Sequence, residues 1–142
     1  MVLQITSTYD ANGNLLTSTN LRNAATTYAY DALNRTTSVA RPGVAAPTYG
    51  YDTRSLLSKV TNGRGFTTWS TYQPWGLAES TIEPATAAFG GLADRTFTTS
   101  YDAGGLPVSE SQPGSVTVTR AYDTPEPSKE FRERPAREYR ER

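Results

Sequence analysis

The clearest alternation in the chain runs through Val116, Val118 and Arg120, with Thr117 and Thr119 between them. A period of two places successive side chains on opposite faces of a strand. The same period puts Thr26, Tyr28 and Tyr30 on one face, and Tyr49 with Tyr51 on one face further along. The apolar segments between these runs are shorter: Leu15 and Leu16, Val39, Leu56 and Leu57, Leu77, then Leu106 and Val108. No helical stripe of comparable quality occurs before residue 124. The pattern predicts an all-β chain, an array of short antiparallel β-hairpins.

The strand-like runs recur at a fixed interval. Aromatic-acid pairs stand at Tyr9-Asp10, Tyr30-Asp31, Tyr51-Asp52, Tyr101-Asp102 and Tyr122-Asp123. The first three tyrosines are 21 residues apart, as are the last two, and one further step from Tyr51 reaches Tyr72, followed by Gln73. Tyr72 to Tyr101 is 29 residues, one period plus eight, so an insertion is expected within Ala85–Thr98, as a lengthened hairpin loop or a small extra turn.

The fourth position after each Tyr carries Gly13, Asn34, Ser55, Gly76 and Gly105. In Tyr-Asp-x-x-Gly the carboxylate at the first turn position can accept backbone N–H groups, and the glycine supplies a left-handed residue at the fourth. Asn34 tolerates that conformation better than Ser55. A second set of turn signals falls between the Tyr-Asp sites: Asn20-Leu21-Arg22-Asn23, Arg41-Pro42-Gly43, Asn62-Gly63-Arg64-Gly65, Glu83-Pro84 and Gln112-Pro113-Gly114. Each unit therefore reads turn, strand, turn, strand.

Composition agrees. The 142 residues include 22 Thr and 9 Tyr, residues that favour strands, with 11 Gly and 9 Pro to break them. Only 36% of the chain is hydrophobic, too little for a thick aliphatic core. The 14 basic and 14 acidic residues cancel, which argues against a nucleic-acid partner. Composition shifts at Thr124. Residues 124–142 hold 6 basic and 5 acidic residues with three prolines, and read as a disordered, charged tail after a repeat array over 1–123. The opening MVLQITSTYD has neither the basic nor the long apolar stretch of a signal peptide, and no stretch approaches a membrane span.

YDANGNLL, YDALNRTT, YDTRSLLS and YDAGGLPV resemble the Rhs (YD) repeat, whose pattern is Tyr-Asp, two variable residues, Gly, Arg and Leu at a period near 21. The resemblance spans Tyr9 to Asp123. It implies an open, curved sheet forming part of a larger shell built with further repeats of the same kind. In bacterial members such shells look like toxin containers, and in teneurins like part of an adhesion ectodomain. It also implies a secreted or cell-surface parent and a possible role in carbohydrate binding. The Arg of the pattern stands only at Arg35; Asn14, Leu56, Leu77 and Leu106 hold its place elsewhere. Five units are too few to enclose a cavity, and a truncated gene fragment without independent function is a further alternative.

Catalytic chemistry is poorly served. The chain has neither His nor Cys, which removes imidazole acid-base groups, thiolate nucleophiles and the usual zinc ligands. Asp10, Asp31, Asp52, Asp102 and Asp123 occur one per turn, unlike the alternating carboxylates of a calcium loop, so turn capping is the expected role. Glu79, Glu83 and Glu110 could supply a paired-carboxylate site, but solvated charge is the simpler expectation. Gly63-Arg64-Gly65 and Gly90-Gly91 lack the partners of a phosphate loop. No cofactor and no enzymatic activity are expected. The candidate glycan-stacking residues are Trp75, in a turn, and Trp69, which is expected to pack on a neighbouring hairpin instead.

Overall fold

The computed structural model describes residues 4–122. They form one open antiparallel sheet of eleven strands in strict sequence order. The strands are β1 (Thr6–Tyr9), β2 (Leu15–Thr19), β3 (Ala25–Tyr30), β4 (Thr36–Ala40), β5 (Thr48–Tyr51), β6 (Leu57–Thr61), β7 (Thr67–Tyr72), β8 (Ala78–Ile82), β9 (Thr96–Tyr101), β10 (Pro107–Gln112) and β11 (Val116–Thr119). The all-β hairpin array read from the sequence is the observed architecture. Each Tyr of a described Tyr-Asp or Tyr-Gln pair ends a strand, and the residue after it opens a turn.

A bulge accompanies the Tyr-Asp turns. Register shifts just before Tyr9, Tyr30, Tyr51 and Tyr72 on the first strand of each hairpin. The hairpins are short type I-like turns closed by a left-handed residue, an arrangement that compensates for the strand twist that a plain type I turn would splay.

The two faces differ in chemistry. Tyr28 lies opposite Val39, and Tyr49 opposite Val60, on one face. The other carries Ser38 opposite Thr48, Thr61 opposite Thr67 and Ser80 opposite Thr98. The tyrosine face is the less exposed, yet no described residue, apolar or polar, is fully buried. The sheet is a single layer with no second layer described against either face, which is the form the low hydrophobic content anticipates.

The eight inserted residues lie wholly in one loop. Glu83 N–H donates to the Arg95 carbonyl at 2.9 Å, as Asn62 N–H donates to Phe66 in the equivalent turn two strands earlier. β8 and β9 then pair Thr81 with Phe97 in the register with which β6 and β7 pair Val60 with Thr68. The loop falls largely inside the expected window of Ala85–Thr98, whose last three positions, Thr96–Thr98, belong to β9, because the first cross-strand bond closes at Arg95. Inside the loop, Arg95 Nη1 donates to the Glu83 carbonyl at 2.6 Å and Thr96 Oγ1 to that of Leu92 at 2.6 Å. Asp123 and the expected charged tail over 124–142 lie outside the described residues.

Candidate functional site

The turns following the tyrosines line one edge of the sheet. At Asp10, the N–H donates to the Asn14 carbonyl at 2.9 Å, and the carbonyl accepts from Gly13 N–H at 3.1 Å. The carboxylate Oδ1 accepts the N–H groups of Asn12 and Asn14 at 2.9 and 2.8 Å. Asp31, Asp52 and Asp102 repeat this set of bonds. The fourth position is left-handed in every unit, with φ of 84° at Gly13, 60° at Asn34, 67° at Ser55, 90° at Gly76 and 81° at Gly105. Turn capping therefore occupies these carboxylates, and Ser55 adopts the left-handed form despite its Cβ.

Hydrogen bonds of this kind depress the carboxyl pKa of Asp10, Asp31 and Asp52. Asp10 is held below its ordinary value chiefly by the Asn14 side-chain amide, and Asp31 by the Arg35 guanidinium. For Asp52 the Leu56 backbone N–H is the main cause, with Arg54 contributing. Ion pairs join Arg35 to Asp31 at 2.7 Å and Arg54 to Asp52 at 3.1 Å.

Gln73 shows what the shorter acid does. Its backbone closes the turn normally, donating to Leu77 at 2.9 Å and accepting from Gly76 at 2.8 Å. Its longer side chain does not accept the turn N–H groups; Oε1 takes the Trp75 indole N–H at 2.8 Å instead. Asn20 and Asn62, on the opposite edge, do reproduce the Asp geometry, each Oδ1 accepting two backbone N–H groups. The spacing Asn-x-x-Asn/Gly was the signal that these turns are of the same kind.

The tyrosine hydroxyls join consecutive units. Tyr30 donates to the Leu15 carbonyl at 3.0 Å, Tyr51 to Thr36 at 2.8 Å, Tyr72 to Leu57 at 2.7 Å, Tyr101 to Ala78 at 2.7 Å and Tyr122 to Pro107 at 2.8 Å. Every acceptor stands six residues after the preceding unit's Tyr. The bond skips the eight-residue insertion without change, because that loop sits on the other edge. Sequence reasoning placed Tyr30, Tyr51, Tyr72 and Tyr101 correctly at strand ends, whereas Tyr122 lies three residues past the end of β11, and it did not assign the hydroxyl a partner.

Side chains from one turn also reach the next. Asn14 Nδ2 donates to Asn34 Oδ1 at 2.7 Å, and Asn12 Nδ2 to the same oxygen at 3.1 Å. Arg35 Nη1 donates to Ser55 Oγ at 3.1 Å, while its guanidinium lies 4.6 Å from the Tyr51 ring centroid. Arg54 donates to the carbonyls of Tyr72 and Gln73 at 3.1 and 2.5 Å.

The other candidates are dispersed. Trp75 is 71% exposed in its turn, whereas Trp69 lies in β7 opposite Lys59 and Ile82, with the Lys59 ammonium 4.9 Å from its ring. Glu79 accepts from Thr71 Oγ1 at 3.3 Å, Glu110 pairs with Arg120 at 2.8 Å, and Glu83 opens the long loop. Among the described residues no three acidic side chains gather as a metal site, and no helix is long and apolar enough to cross a membrane.

Residues 9–43 match the RHS Repeat family. Among curated proteins none matches the chain. Among solved structures, the chain superimposes on part of the Photorhabdus luminescens Tc holotoxin pore with a TM-score of 0.60 at 19% identity, covering 75% of this chain and 5% of that one. The crystal structure of TcdB2-TccC3-Cdc42 gives 0.61 at the same identity and the same coverages. That of TcdB2-TccC3 gives 0.60 with 19% identity, again over 75% and 5%. The chain thus spans about a twentieth of each of these proteins, and the likeness is one of fold. The match to the RHS Repeat family covers residues 9–43, and the fold shared with these structures covers 75% of the chain.

Proposed function

We propose that this repeat segment is a length of wall in a larger Rhs-type shell of a secreted or cell-surface protein, which either encloses a toxin or forms an adhesive scaffold. The observation that carries this reading is the directional Tyr hydroxyl bond, made five times from one unit to the carbonyl of the unit before it. Such bonding extends a sheet without limit and builds no pocket. With no described residue fully buried, the segment also depends on neighbours for much of its stability. The likeness to part of the Photorhabdus luminescens Tc holotoxin pore supports enclosure as the first of the two roles.

The test uses the longer protein that carries the segment, imaged by electron microscopy and then treated with protease. Enclosure predicts a continuous hollow wall and an internal segment that survives digestion until the wall is opened. An internal segment digested as fast as its isolated form eliminates the container role.

Glycan binding is a second reading, favoured by the exposed indole of Trp75, which its bond to Gln73 holds in one orientation. An aromatic face so fixed suits stacking on a sugar ring. Quenching of tryptophan fluorescence by polysaccharides, lost in Trp75→Ala, is the expected result. No quenching across a broad glycan panel rules it out.

A further inference from the structure

The fifth residue after each Tyr meets the fourth residue of the following unit, and the chemistry of the two is matched at all four junctions. Asn14 donates to Asn34 Oδ1 and Arg35 to Ser55 Oγ, so a donor meets an acceptor. The next two junctions are apolar. A Cβ built on Gly76 would lie 3.9 Å from a Leu56 methyl, and one on Gly105 would lie 3.5 Å from a Leu77 methyl. Leucine thus covers glycine, and a polar donor covers a side-chain oxygen. No junction mixes the two kinds.

We infer that this contact is a neighbour-matching site: the side chain at the fifth position selects which left-handed residue the adjoining repeat presents. A mixed junction has a definite fault in each direction. An Asn at the left-handed position beneath Leu56 would set its amide against a methyl group and lose its partner. A Leu in place of Asn14 would leave Asn34 Oδ1 without the Asn14 donor and press a branched chain onto a polar group. The partner fitted to such a surface is therefore another Tyr-Asp turn of stated kind.

The reading departs from plain repeat drift, which would scatter Leu, Asn and Arg without regard to the next turn. It also accounts for Asn34 and Ser55, two non-glycine residues held at positive φ where glycine would be less strained.

A double-mutant cycle on the full chain tests it, with Leu56→Asn, Gly76→Asn and the pair. Turn opening is read by native-state hydrogen exchange at the amides of Gln73 and Gly76, which donate across the turn at 2.9 and 2.8 Å. Gly13→Asn, where nothing lies within 4 Å of the added Cβ, measures the bare cost of replacing a left-handed glycine. Each single change at the junction is expected to speed exchange, and the pair to recover about fivefold relative to the product of the singles. The reciprocal cycle, Asn14→Leu with Asn34→Gly, is expected to couple in the same sense. Additive effects in both cycles would overturn the inference. So would an unmodified chain whose turn amides show no protection, since matched contacts would then hold nothing in place.

Discussion

Replacing Tyr51 by Phe removes one hydroxyl and leaves the rest of a junction intact. The lost bond is 2.8 Å long, to a carbonyl of the half-buried Thr36. A net intramolecular hydrogen bond contributes about 1 kcal/mol, and water can reach part of this carbonyl, which keeps the cost from rising further. The ring remains to meet the Arg35 guanidinium 4.6 Å from its centroid. Tyr51→Phe should therefore favour local opening of the β4–β6 region by about fivefold. Tyr51→Ala also uncovers roughly 100 Å² of ring surface, at about 25 cal/mol per Å² a further 2 to 3 kcal/mol. Tyr9→Phe is the internal control: Tyr9 is 61% exposed and its hydroxyl has no partner among the described residues, so a change within about 0.5 kcal/mol is expected. Native-state hydrogen exchange, followed amide by amide, separates the two sites. Equal effects of Tyr51→Phe and Tyr9→Phe would refute the idea that the hydroxyl bond joins units.

Asp52→Ala should lower the midpoint of urea denaturation, while Asp52→Asn should lower it much less, since Asn62 already accepts the same two N–H groups in an equivalent turn. Acid should loosen the Tyr-Asp edge. Asp10, Asp31 and Asp52 are held below their ordinary carboxyl values when folded, so their stabilisation is present above about pH 4 and is lost as pH falls through the lowered values. Exchange at these turns should accelerate on acidification after correction for intrinsic rates, and the triple Asp→Asn variant should flatten that dependence. Replacing Glu83–Arg95 with the Asn62–Phe66 turn sequence should leave the pairing of Thr81 with Phe97 unchanged and cut loop-closure cost by about 0.9 kcal/mol; cross-strand contacts in NMR spectra check the register.

The period of 21, the strand ending at each Tyr and the left-handed fourth position were all legible, because each follows from local chain chemistry. Gly13, Gly76 and Gly105 announce positive φ by themselves, and Asn34 and Ser55 do so by phase. The acceptor of each Tyr hydroxyl was not legible. It lies on the neighbouring hairpin, and its distance along the chain changes from 15 residues to 23 where the loop intervenes, while its place in space does not. The diversion of Gln73 to the Trp75 indole was equally hidden, since one added methylene decides whether the side chain folds back onto its own turn. The exact bounds of the insertion inside Ala85–Thr98 were not legible because alignment on Tyr101 counts residues. The sheet instead fixes the loop by the bond between Glu83 and Arg95.

The absence of a fully buried residue makes the order of contacts more important than their number. In a layered domain, an altered core residue disturbs many elements through shared packing. Here β1 to β11 touch only their sequence neighbours, so the effect of a change should fade within one junction. Gln73 illustrates this: it gives up two capping bonds, yet its own backbone turn and the Tyr72 and Tyr101 links on either side persist. A sheet of this kind can accept departures from its repeat one unit at a time, provided each junction remains matched. Departures from the Tyr-Asp pattern are then to be judged at the junctions: Leu56 and Leu77 stand where the pattern has Arg, and their methyl groups lie beside Gly76 and Gly105 of the turns that follow.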